Sequence, residues 1–130
     1  MSDNRAMNED YQEIAKELIE TRPELKSIKN SDVQILLLSS DCEKKSNKKI
    51  VFGQCEKIPE RYKWGIPCDF TITIFEPNTA KFNYEQLKIL IFHELLHVGV
   101  DGDKFFIRPH DLEDFKLIID EFGVNWNSVE

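Results

Sequence analysis

Two histidines four residues apart, His93 and His97, enclose Glu94, Leu95 and Leu96 in the run HELLH. On a helix that spacing stacks both imidazoles on one face. Both can then reach a single tetrahedral zinc ion at about 2.0–2.1 Å per nitrogen. Glu94 is rotated about a third of a turn from His93, close enough to meet a water at the metal without ligating it. Zinc brings the pKa of such a water toward about 7, and a neighbouring carboxylate can take its proton as it attacks a carbonyl. The pattern therefore points to amide hydrolysis, with Glu94 as general base. By chance His-Glu-x-x-His arises in on the order of one chain of this length in a few hundred. Here it sits late in an apolar helical stretch, where histidines without partners would be costly.

A catalytic zinc takes three protein ligands and keeps a position for water. The chain has 3 histidines, and the third, His110, lies thirteen residues beyond His97. A short loop between two helices would fold it back onto the face of His93 and His97. Glu113 and Asp114, one turn further on, are the carboxylate alternatives, and Asp103 is a weaker one. With His110 as ligand, Asp114 at i+4 is placed to orient its imidazole. Arg108 is a candidate donor to the developing oxyanion, and Tyr62 a second. Their plain alternatives are a surface arginine paired with Asp111 or Asp101, and a packed loop aromatic.

These residues need a scaffold, and the sequence outlines one. Tyr11, Ile14, Ala15, Leu18 and Ile19 follow the spacing of an amphipathic helix that Arg22-Pro23 ends or restarts. Residues 1–8 are polar and expected to fray. Val33 to Leu38 and Lys49 to Gly53 read as strands, separated by a lysine-rich turn. A loop from Pro59 to Pro67 holds Tyr62 and Trp64. Asp69 to Phe75 alternates cleanly, with Phe70, Ile72 and Ile74 on one face. Asn83 and Gln86 have the form of a capping box for a helix running to about Gly99. Val100 to Arg108 reads as a loop or short hairpin. A third helix starts near Pro109-His110, carries Leu112, Phe115, Ile118, Ile119 and Phe122, and ends at Gly123, with Trp126 folding back. The order helix, three strands, helix, helix gives an α+β domain, one sheet covered by helices. Residues 1–130 read as a single domain.

Composition narrows the function. A net charge of −7 opposes broad nucleic-acid binding. The run Lys44, Lys45, Lys48, Lys49 reads as a solvated turn. No apolar run approaches the length of a membrane span, and the polar start lacks the pattern of a signal peptide, so a cytoplasmic location is expected. Cys42, Cys55 and Cys68 are odd in number and lack a Cys-x-x-Cys pair, which argues for reduced thiols rather than a disulfide framework or a cysteine-zinc site.

The segments HELLH (His93–His97) and Arg108-Pro-His-Asp-Leu-Glu-Asp-Phe115, followed by Gly123 and Trp126, resemble the phage metallopeptidase family, which is broadly similar to SprT-like and mini-zincin proteases. The likeness extends from the first helix to Trp126. It implies a zincin-like fold, zinc held by His93, His97 and His110, Glu94 as base, and a protein or peptide substrate. The metzincin pattern is absent, since Gly99 falls two residues after His97 rather than three. Two other classes compete. His93-x-x-x-His97 followed by Asp103 faintly resembles YbeY-type endoribonucleases, but Asp stands where they have His. A non-catalytic zinc-binding regulatory module would have no use for Glu94. An exposed edge on strand 69–75 would allow an extended peptide to bind as an added strand; an interior strand would not.

Overall fold

The computed structural model describes residues 4–46, 49–102, 104–109, 118, 121 and 122. A short strand β1 (Arg5–Met7) precedes helix α1 (Glu9–Thr21), and a single turn α2 (Lys26–Lys29) leads to strand β2 (Ile35–Ser40). Two-residue strands β3 (Lys45–Ser46) and β4 (Lys49–Ile50) make a small hairpin, followed by β5 (Gly53–Lys57) and β6 (Phe70–Phe75). One turn α3 (Glu76–Thr79), helix α4 (Tyr84–Leu96), and strands β7 (Val98–Asp101) and β8 (Lys104–Ile107) follow. The architecture is α+β, as expected. The main sheet has four strands rather than three, in the order β1-β2-β6-β5. It is mixed: β2 and β6 are parallel, and the two outer pairs are antiparallel.

Two of those strands depart from the sequence reading. Arg5–Met7, expected to fray, pairs with Ser40 to Leu38 of β2. All three β1 residues are exposed, so no buried face marked the strand in the sequence. The strand expected at residues 49–53 is divided: Lys49–Ile50 pairs in the small hairpin as β4, and the strand of the main sheet begins only at Gly53, as the polar run Gly-Gln-Cys-Glu-Lys of β5. An edge strand is held by backbone pairing and carries little apolar pattern of its own. Strand β6 is the interior strand of the pair of possibilities, flanked by β2 and β5 and buried at every residue. A peptide cannot add to it; the edge beside α4 is β5.

Capping explains where the helices start. Asn8 accepts a hydrogen bond from the Tyr11 amide at 3.0 Å, and Glu9 and Asp10 sit where the helix dipole favours negative charge. The expected capping box of α4 is present: Asn83 Oδ1 accepts from the Gln86 amide at 2.8 Å, and Gln86 Oε1 from the Asn83 amide at 3.0 Å. Tyr11, Ile14, Ala15 and Leu18 of α1 pack with Leu37, Phe70, Ile72 and Ile74 of the sheet and with Leu90, Ile91 and Leu95 of α4. In α4 Leu90, Ile91, Phe92, Glu94, Leu95 and Leu96 are all buried, so the second half of the helix runs inside the core, while its start at Tyr84 and Glu85 is exposed.

Helix α4 ends at Leu96, with His97 as C-cap, earlier than the expected stop near Gly99. Gly99 instead belongs to the hairpin of β7 and β8, opposite Phe106. The turn is made by Gly102 at φ 60°, a left-handed conformation suited to glycine. A side chain at Gly99 would meet the Phe106 ring at 2.4–2.6 Å, so the glycine lets that ring lie on the strand. Most of the expected third helix, with His110, Glu113 and Asp114, lies outside the described residues, as do Asp103, Gly123 and Trp126. Of that segment, Ile118 is fully buried in the core, Phe122 packs against it, and Glu121 pairs with Arg22. The Arg22 guanidinium also covers the Phe92 ring at 4.3 Å. No helix among the described residues is long and apolar enough to cross a membrane.

Candidate metal centre

His93 lies in the last turn of α4 and His97 caps it, so the two rings come from one rigid element. Their centroids are 5.3 Å apart and the planes meet at 67°. Two imidazoles sharing a tetrahedral ion, each with nitrogen about 2 Å from it, have centroids about 5 Å apart. The pair fits that spacing.

His97 is held by the chain's own backbone. Its Nδ1–H donates to the Arg108 carbonyl at 2.7 Å, and the Arg108 amide donates to the His97 carbonyl, also at 2.7 Å. A carbonyl can only accept, so Nδ1 carries a proton, and Nε2 is the lone-pair nitrogen of the neutral ring. This is the arrangement a metal-ligating histidine needs. The β7–β8 hairpin supplies it, because it returns the chain to the helix end that it left.

Glu94 is 4% exposed, which is rare for a carboxylate. Oε2 stands 3.9 Å from His93 Nε2, longer than a hydrogen bond, so the carboxylate neighbours the nitrogen without being tied to it by that contact. Its space is provided by β5. A Cβ at Gly53 would stand 3.3 Å from both Cγ and Oε2 of Glu94. Burial, with the Glu94 and Glu56 carboxylates, pushes the Cys55 thiol far above its ordinary value, so it is a protonated thiol and not a nucleophile. All three cysteines are free.

The structure thus brings together His93, Glu94, His97 and the backbone of Arg108. The Arg108 side chain is exposed, and Tyr62 lies on the exposed loop after β5 with Arg61 over its ring. Among the described residues no three His, Cys, Asp or Glu side chains form a group that could hold a metal. Two contributors escaped the sequence reading. A backbone carbonyl has no residue signature, so the hold of Arg108 on His97 left no trace. Gly53 did leave one, since a glycine in a strand, here the first residue of β5, marks close approach of another group.

A family model described as "Putative phage metallopeptidase" matches residues 4–130. No curated protein and no solved structure matches the chain. The match spans nearly the whole sequence, including the helix that carries His93, Glu94 and His97: the chain belongs to this phage metallopeptidase family.

Proposed function

We propose that the protein is a zinc-dependent peptidase with a zincin-like arrangement, in which His93, His97 and His110 hold the ion and Glu94 is the general base. The observation that supports this reading is the hold of the Arg108 carbonyl on His97 Nδ1, which leaves Nε2 as the ligating nitrogen of a ring 5.3 Å from that of His93, on a helix whose Glu94 is buried. When bound, zinc acidifies a water molecule and polarises the scissile carbonyl. Glu94 Oε2 takes the proton of the attacking water and passes it to the leaving amine. With Glu94 only 4% exposed, bulk water competes little for the proton that the carboxylate holds. The Arg108 guanidinium, on the segment that clamps His97, donates to the substrate carbonyl oxygen as negative charge develops. An extended peptide pairs with the outer edge of β5, to which no strand is hydrogen-bonded among the described residues, beside Gly53 and Glu94.

The experiment is hydrolysis of casein and of RNA by zinc-loaded protein, with metal content measured on the same sample. One zinc per chain with cleavage of casein alone is expected. Cleavage of RNA alone would mark a nuclease, and bound zinc without cleavage of either would mark a binding module. Either result overturns the proposal.

A further inference from the structure

Among the described residues Trp64 is the most exposed large apolar side chain, at 91%. It stands on the loop between β5 and β6, with Tyr62 and Ile66 also exposed. The loop is firmly tied. Lys63 Nζ pairs with both Glu60 and Asp69 at 2.8 Å, and the Ile66 amide donates to the Tyr62 carbonyl at 3.0 Å. Asp69 Oδ2 in turn accepts from the Gln34 amide at 2.8 Å. Burial opposes the Asp69 charge, but Lys63 and the Gln34 amide outweigh it and hold the carboxylate below its usual range. An indole exposed to water on an anchored loop is a standing apolar surface.

That surface leads to the candidate centre along two paths. Strand β5 connects the two: its first residue, Gly53, borders Glu94, and its last, Lys57, leads into the loop about 13 Å of strand away. On the other side Lys63 Nζ lies 5.9 Å over the Phe105 ring of β8, so the loop rests on the hairpin. Ile107, 41% exposed, shares a face of β8 with Phe105. From Phe105 to Arg108, which holds His97, is about 10 Å of strand, the reach of three residues of an extended peptide.

We infer that Trp64, with Tyr62 and Ile107, forms a substrate subsite that takes a large apolar side chain a few residues from the scissile bond. This rests on the peptidase reading and deepens it: the substrates are extended segments bearing exposed aromatic or aliphatic residues, as unfolded chains do. The acidic molecule, at net charge −7, favours such a chain over an anionic membrane as the occupant.

The test uses zinc-loaded Glu94→Gln protein, which binds without cleaving, and two fluorescein-labelled decapeptides of Gly, Ser and Lys, with a central Phe or a central Ser. Anisotropy should show the Phe peptide binding at least about tenfold tighter, and Trp64→Ala should abolish that preference. Zinc content and melting temperature should stay unchanged, and Ile107→Ala should weaken the preference in part. A preference that survives Trp64→Ala overturns the inference, as does failure of both peptides to bind. So does Trp64-dependent binding to phosphatidylcholine vesicles, or Trp64-dependent self-association in sedimentation, without peptide binding. Casein cleavage unchanged by Trp64→Ala would remove this inference and leave the peptidase reading. A Trp64-dependent preference in a protein that cleaves nothing would do the reverse.

Discussion

At His97 a backbone carbonyl, that of Arg108, decides which of two ring nitrogens carries the proton. The residue types at positions 93, 94 and 97 announce hydrolytic metal chemistry in the sequence, because only a helix gives the spacing four its meaning. The orientation of the rings was not legible there, since it depends on a chain return that closes only in the fold. His110 is the counterpart case: its type and spacing speak for ligation, while its position lies outside the described residues. We expect His110→Ala to weaken zinc binding by at least about tenfold, Glu113→Ala to leave it unchanged, and Asp114→Ala to fall between, as loss of a group that orients a ligand does. Competition against a chelator ranks the three. Loss of metal in Glu113→Ala with retention in His110→Ala would make the site one of two histidines and a glutamate.

Elements whose side chains face a core could be read from the sequence, and elements held by backbone pairing alone could not. Helix α4 announced itself by its capping box and apolar run, and β6 by the alternation of Phe70, Ile72 and Ile74. Strands β1 and β5 are edges with exposed or polar residues, and they were missed or shifted. The hairpin of β7 and β8 has the most direct bearing on the site, because its last pairing, Val98 with Ile107, sets Arg108 beside His97. Gly99 is where that register is vulnerable, since any side chain there overlaps the Phe106 ring. We predict that Gly99→Ala keeps the helical circular-dichroism signal yet lowers zinc affinity by about tenfold to a hundredfold. Adding Phe106→Ala should restore much of the loss by removing the obstructing ring. Unchanged affinity in Gly99→Ala would show that the hairpin does not position His97.

Among the described residues, the molecule places its most buried carboxylate where its central helix meets the edge of its one large sheet. Helix α4 is walled by α1 on one side and by β6 and β5 on another, with Ile118 adding to the core from the far end of the chain. Such packing makes the helix a rigid mount, so His93 and Glu94 keep their relation whatever the loops do. It also keeps substitutions at Glu94 local, because glutamine fills the same volume beside Gly53. Glu94→Gln therefore tests the central claim most directly. Zinc content and casein hydrolysis are to be measured on the wild type and this variant, prepared side by side. We predict equal zinc content, an unchanged melting temperature, and hydrolysis reduced by at least about a hundredfold, the smallest loss expected of a general base. A variant that hydrolyses casein like the wild type, or one that loses its zinc, would contradict the role given to Glu94.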